Sequence, residues 1–179
     1  MFAVMVSLLS ASIVESQPAR VSEYDVKAVY LFNFAKFVDW PASAMKSKGD
    51  PFTICVLGKD PFGPILDATI AGETIGGRRV AAKRVSNPPE ASGCQILYIS
   101  SSEESRLNTI FDGLDKSATL TVSDIPQFSQ HGGMIEFVLQ GSRVRFDVNL
   151  AAAQQAGLNL SSSLLKVATN VRRDARPGE

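Results

Sequence analysis

Residues 52–71 read F-T-I-C-V-L-G-K-D-P-F-G-P-I-L-D-A-T-I-A. The first six are apolar or β-branched, with Thr53, Ile54 and Val56 favouring extended backbone, so Phe52–Leu57 is predicted to be a strand. Gly58-Lys59-Asp60-Pro61 is a turn. A short helix is expected next, over Phe62–Ala71, with Asp60 as N-cap and Pro61 at the first helical position. A strand that turns directly into a helix opens a β–α unit, and repeated units of that kind build an α/β sheet.

The same alternation continues on both sides. Upstream, Ser22 stands three residues before Asp25, as in a capping box with Asp in place of Glu. Val26, Val29, Tyr30, Phe34 and Phe37 then recur near helical spacing. Pro41 is expected to end this helix, because the residue before a proline avoids the α region. Downstream, strands are expected at Arg79–Val85, Cys94–Ser100 and Thr119–Val122, with a helix from Ser101 to about Leu114. Gly72–Gly77 reads as a turn that can hold a short strand, and Pro126–Gln130 as a helical turn. Met134–Leu139 and Val144–Val148 read as antiparallel partners across Gln140-Gly141-Ser142, with Val144, Phe146 and Val148 on one face and Arg143, Arg145 and Asp147 on the other. Helices at Leu150–Ala156 and Ser163–Thr169 close the chain. The fold class is therefore α/β: a three-layer α/β/α sandwich whose mixed, mostly parallel sheet ends in an antiparallel hairpin.

The chain has 179 residues, a natural length for one domain, and a formal net charge of zero, which argues against a nucleic-acid binder. Phe2–Val14 is almost wholly apolar or small, the length of a secretory h-region and short for a membrane span. Gln17-Pro18 separates this segment from the first helix, and cleavage is expected after Ser16 or Ala19. No Lys or Arg precedes Phe2, so residues 1–19 are read as a signal peptide truncated at its start, against the alternative of a buried N-terminal helix. The domain then spans 20–170, and 171–179, with Arg172, Arg173 and Arg176, is a solvated, disordered tail. Cys55 and Cys94 are the two cysteines. They would be reduced core thiols in a cytosolic protein, whereas in an exported one they form a disulfide between neighbouring strands.

Few residues carry the signature of chemistry. Gly58, Lys59 and Asp60 lie between a strand and a helix N-terminus, a place where an anion can bind, although neither phosphate-loop pattern is present. His131, the one histidine, precedes Gly132-Gly133 and reads as a loop residue. Asp124 reads as an N-cap, and Asp112 and Asp115 as solvated helix-end residues. Asn33 and Lys36 share a face of the first helix, and Trp40 is expected to cap the core beside Pro41. No nucleophile elbow or metal-ligand spacing occurs, so neither an enzyme nor a metal or cofactor site is expected.

Four ordered segments resemble the YfiR-like family of periplasmic bacterial regulators. They are Y-L-F-N-F-A-K-F-V-D-W-P at Tyr30–Pro41, I-C-V-L-G-K-D-P-F-G at Ile54–Gly63, L-T-V-S-D at Leu120–Asp124, and G-G-M-I-E-F with R-V-R-F-D-V-N-L-A-A-A over Gly132–Phe137 and Arg143–Ala153. The ending A-G-L-N-L-S-S-S-L-L-K-V-A is also similar to the family's close. The resemblance implies a periplasmic domain that binds the periplasmic sensor portion of an inner-membrane diguanylate cyclase and holds it inactive. Cyclic di-GMP and biofilm formation fall as a result. It also implies an outer-membrane, peptidoglycan-binding lipoprotein that sequesters the repressor. Some relatives carry a second cysteine pair near G-G-M-I that this chain lacks. The docking surface is expected on the closing strand and helix, at Phe146, Asp147, Asn149, Leu150, Ala153 and Leu158, as an exposed apolar patch. A homodimer is a further expectation. The competing reading is a periplasmic sensor of a small ligand, a nucleotide or amino acid, bound at the carboxyl ends of the strands.

Overall fold

The computed structural model describes residues 21–174, apart from 46, 48 and 115–117. The N-terminal apolar segment, Asp115 and Arg176 lie outside the described residues. In chain order the elements are α1 Glu23–Lys36, β1 Val38–Asp39, β2 Phe52–Leu57, α2 Pro64–Ile70, β3 Thr74–Ile75, β4 Arg78–Val85, β5 Ile96–Ile99 and α3 Leu107–Gly113. Next come β6 Leu120–Ser123, β7 Ile135–Gln140, β8 Arg143–Asn149, α4 Leu150–Gln155, β9 Asn159–Leu160, α5 Ser162–Val167 and β10 Val171–Arg172.

Eight strands form one sheet in the order β10-β8-β7-β6-β5-β2-β4-β3. The four central junctions, β4–β2, β2–β5, β5–β6 and β6–β7, are parallel. The closing hairpin β7–β8 is antiparallel, with Phe137 opposite Phe146. Alternate residues of the central strands enter two separate cores. Ile54, Val56, Ile96 and Tyr98 face the larger one, with α1, α2, Ala153 and Leu164. Cys55, Leu57, Leu97 and Ile99 face the smaller one, with Leu107 and Ile110 of α3 and with Ile125 and Phe128. Burial on both faces is what makes these strands read as continuous apolar runs. The expected mixed α/β sandwich is the observed fold.

Cys55 and Cys94 form a disulfide with Cα atoms 5.9 Å apart. It lies in the smaller core, at 0% and 3% exposure.

The capping box forms as expected: Asp25 N–H donates to Ser22 Oγ at 3.2 Å, and Ser22 N–H donates to an Asp25 carboxylate oxygen at 2.6 Å. Several boundaries differ from expectation. Helix α1 stops at Lys36, short of Pro41, and Phe37 caps it. Val38 and Asp39 instead pair with β9, so a backbone ladder ends the helix before the proline can. Val29 and Phe37, expected on the buried face, are 48% and 40% exposed, while Ala28, Leu31, Phe32, Phe34 and Ala35 are buried. Helix α2 begins at Pro64 with Gly63 as N-cap. Asp60 does not cap it; its Oδ1 accepts from Phe62 N–H at 2.8 Å, an Asx turn upstream of the helix. The segment after Ser100 is a 3-10 helix over Ser101–Arg106 before α3 starts. Val171 and Arg172, expected in a solvated tail, pair in parallel with Val148 and Asn149.

Candidate functional site

The expected docking surface begins on β8 and α4. Phe146, Ala153 and Leu158 are 2%, 0% and 0% exposed, so they do not form an exposed apolar patch. Phe146 instead stacks edge-on against Tyr30 and Phe34, with ring centroids 5.5 and 5.1 Å apart. The reason is geometric: α4 follows β8 directly and folds its apolar side back onto the sheet face that α1 also covers. Leu150 is half-buried against the same core. Asn149 is buried and holds the backbone. Its Oδ1 accepts from Ala152 N–H at 3.1 Å as the cap of α4, and its Nδ2 donates to Ser129 O at 2.9 Å. Of the six residues, Asp147 is the one whose side chain stands on the wet face, accepting from Asn170 Nδ2 at 3.0 Å.

That wet face alternates with the core face along both strands of the hairpin. Arg143 and Arg145 project from β8 on the side of Asp147, as their alternation predicts. Neither makes an ion pair or side-chain hydrogen bond among the described residues.

The carboxyl ends of the parallel strands offer a second candidate. Gly58 takes φ +87°, and a Cβ there would lie 2.5 Å from Ser102 Oγ and 2.7 Å from Glu103, so glycine is required twice over. Lys59 N–H donates to Ser102 Oγ at 3.0 Å. Asp60 Oδ2 pairs with Arg84 Nε at 2.8 Å, and Arg84 also holds Asp67 at 2.6 Å and Gly63 O at 2.7 Å. The backbone N–H groups of Gly58 and Lys59 and the Asp60 carboxylate are thus engaged within the fold, while the Lys59 side chain is exposed.

Beside them sits a polar cluster that sequence reasoning missed. Lys27, 2% exposed, pairs with Asp124 at 2.6 Å and with Glu23 one turn earlier. The Tyr24 hydroxyl donates to the same Asp124 oxygen at 3.0 Å. Asp124 is therefore a half-buried ion-pair partner of the buried Lys27 rather than the expected N-cap. Burial opposes its charge, but the hydrogen bonds from Lys27 and Tyr24, with the Lys27 charge, outweigh this and hold the carboxyl below its ordinary value. Burial first, then the Asp124 charge, pushes Tyr24 up to about 12. Tyr98 is raised for the same two reasons, in the same order. Its buried hydroxyl makes no hydrogen bond of standard geometry. The signal that could have located this cluster is Lys27 itself, which falls between Ala28 and the aromatic stripe of α1.

His131 lies in the β6–β7 loop, its Nδ1 2.9 Å from Gln127 O. Lys36 lies over the Phe32 ring at 4.0 Å, and Trp40 donates from Nε1 to Ala35 O at 3.3 Å while packing on Phe52. Among the described residues no group of three or more His, Cys, Asp or Glu side chains could hold a metal ion. No helix there is long and apolar enough to cross a membrane.

The chain is thus an α/β sandwich whose sheet is covered on both faces. The YfiR/HmsC-like family model matches residues 24–169, and the chain belongs to that family. The family is a periplasmic, regulatory and non-enzymatic group that acts on diguanylate cyclases. Two solved structures share the fold. One is the ABC domain in complex with L-Trp from Streptococcus pneumonia, with TM-score 0.54 and 17% identity, covering 80% of this chain and 60% of that one. The other is a conserved domain protein from Vibrio cholerae O1 biovar El Tor, with TM-score 0.59 and 11% identity, covering 84% and 60%. This chain thus spans 60% of the length of each.

Proposed function

We propose that this protein is a periplasmic repressor that binds the periplasmic sensor domain of an inner-membrane diguanylate cyclase and holds the cyclase inactive, lowering cyclic di-GMP and biofilm formation. The observation that carries this reading is the family match over residues 24–169, which takes in both cores, the closing hairpin and α4. Repression of this kind needs no chemistry in the repressor. It needs only a higher affinity for the inactive cyclase conformation than for the active one. A peptidoglycan-binding lipoprotein of the outer membrane relieves repression by competing for the repressor, and self-association into a dimer would tune the free concentration. Residues 1–19 serve as the export signal, and the regulatory domain runs from residue 20 through β10.

Intracellular cyclic di-GMP, measured in the native host with and without the gene, tests the proposal. Deletion is expected to raise it, and complementation from a plasmid to restore it. Unchanged levels in both directions would overturn the repressor reading.

A second reading has one supporting observation: a fold neighbour is a complex with L-Trp. As a small-ligand sensor, the chain would show a raised unfolding temperature with an amino acid or nucleotide. Substitution of Lys59 would abolish that rise if Gly58, Lys59 and Asp60 form the site.

A further inference from the structure

Strand β4 is paired along Val80–Val85 with β2, but on its other side β3 covers only Arg78 and Arg79. Successive residues of a strand direct their N–H and C=O groups to opposite sides. Two bonds fix the phase here. Val85 C=O accepts from Gly58 N–H, on the β2 side, and Val80 N–H donates to Glu73 O, on the β3 side. Ala82 and Arg84 therefore turn their backbone N–H and C=O groups outward, past the end of β3. No strand among the described residues meets them. An open ladder of this kind accepts an extended polypeptide as one more strand.

The register separates two faces along this edge. Val80 and Ala82 lie on the α2 face and pack against the larger core. With Ile70 they line a groove of about 670 Å³. Asp67 and Glu73 also line it, and Arg78 there is engaged by the carbonyls of Ser47 and Asp50. This side suits an apolar side chain and repels a carboxylate. Arg79, Ala81 and Lys83 lie on the other face, the side on which Val85 enters the smaller core. Arg79 and Lys83 are exposed. Neither pairs with a carboxylate among the described residues; Lys83 Nζ donates to Glu90 O at 2.8 Å. Arg84, on the α2 face, is already held by Asp60 and Asp67. An added strand thus meets an apolar wall on one face and two uncompensated cations on the other.

A second copy of the chain does not fit this edge. Antiparallel self-pairing must set outward residues against outward residues. Centred on Ala82, it sets Val85 of one copy against Arg79 of the other, a place that Thr74 of β3 already holds. Centred on Lys83 or Arg84, it sets like charges directly opposite one another, which is destabilising. The same charges fit a strand of the opposite sign.

We infer that the β4 edge at Val80–Val85 takes up an extended segment of a protein partner as an added strand, its alternate side chains apolar toward the groove and acidic toward Arg79 and Lys83. The inference goes beyond the repressor reading and does not depend on it.

The probe is a capped, fluorescein-labelled peptide, T-V-E-V-E-V-T, titrated with the folded protein and read by anisotropy, with T-V-K-V-K-V-T as its counterpart. The acidic peptide is expected to bind and the lysine peptide not. On binding, amide hydrogen exchange should slow at Ala82 and Arg84, and stay unchanged at Ala81 and Lys83, which already bond to β2. Ala82→Pro removes an outward N–H and no bond of the β2 ladder, so the chain should fold and lose binding. Lys83→Glu should weaken the acidic peptide roughly fivefold or more and allow the lysine peptide to bind. Arg143→Glu, on the hairpin across the sheet, should change neither. Thermal unfolding checks that each variant is folded; should Ala82→Pro unfold, the charge exchange at Lys83 decides. The inference is overturned if the acidic peptide does not bind, if both peptides bind equally, or if binding leaves Ala82 and Arg84 unprotected. It is also overturned if sedimentation shows a dimer that Ala82→Pro dissociates, which would make a second copy the occupant.

Discussion

Lys27 is 2% exposed, and burying an ammonium group is costly unless it is paired. Asp124 and Glu23 supply opposite charges, while the rings of Tyr24 and Phe137 lie 4.5 and 5.8 Å from its Nζ. Removing one member strands the other, so Asp124→Asn is expected to cost about 3 kcal/mol of stability, measurable by urea unfolding. The pair also makes stability depend on pH. The Asp124 carboxyl titrates below its ordinary 3.8 in the folded state, so its contribution is complete above that pH and is lost as pH falls below it. Tyr24 has the opposite sign: its hydroxyl is held up to about 12 against an ordinary 10.0, so its contribution is present below pH 10.0 and lost between there and about 12. Asp124→Asn should therefore flatten the acid limb of a stability–pH curve; an unchanged acid limb would contradict the assignment. Gly133 makes a separate demand. A Cβ there would lie 2.1 Å from the Phe128 ring, which is fully buried and cannot swing away. Gly133→Ala is expected to lose about 1–3 kcal/mol through overpacking, a loss that Phe128→Leu in the same chain should partly restore.

The loop from β6 to β7 shows how an irregular element is held without regular hydrogen bonding. Glu136, on β7 and 7% exposed, accepts from Gln127 N–H at 2.8 Å, Ser129 N–H at 3.0 Å and Ser129 Oγ at 2.7 Å. Gln127 sits at φ +62°, a conformation that side-chain residues seldom adopt. The Ser129 carbonyl in turn accepts from Asn149, the cap of α4, so the carboxylate of one strand indirectly sets the start of the next helix. Glu136→Ala orphans three donors, and a loss of about 2–3 kcal/mol is expected. Amide hydrogen exchange should accelerate at Gln127 and Ser129 first. Uniform acceleration across all strands would show that the carboxylate has no local role. This element also marks the reach of sequence reasoning. Strand β2, the capping box at Ser22 and the alternation of β8 depend on neighbours in sequence, and all three were legible. The end of α1, the burial of Phe146 and Ala153, and the pairing of Asp124 depend on partners far along the chain, such as Leu160 across from Val38 and Lys27 across from Asp124. No local pattern encodes those partners. Apolar content alone could not separate a docking patch from a core because α4 is apolar for the second reason. Arg143 and Arg145 were visible as a wet strand face, yet their lack of ionic partners among the described residues became apparent only once the fold had placed the acids.

At the scale of the whole molecule, the sheet divides the interior into a larger core and a smaller one, and the single disulfide lies entirely in the smaller. That core rests on α3, Ala91 and the β6–β7 loop, with fewer side chains than the helices opposite bring. The Cys55–Cys94 bridge ties β2 to the turn before β5 across 39 residues that include α2, β3 and β4. In the chain-entropy model a loop of that length contributes about 4 kcal/mol, a large share of the stability of an ordinary domain. With both sulfurs buried, a reductant reaches the bridge through opening of the smaller core, not at the surface. Cys55→Ala/Cys94→Ala is therefore expected to unfold at lower urea concentration by an amount equivalent to about 4 kcal/mol. In the unaltered chain, dithiothreitol should act slowly without denaturant and quickly near the urea midpoint. Rapid reduction of the fully native protein would mean that the smaller core opens on its own, and the bridge would then be a redox-accessible group. Slow reduction would make it a structural tie whose formation requires an oxidising compartment, as a periplasmic protein has.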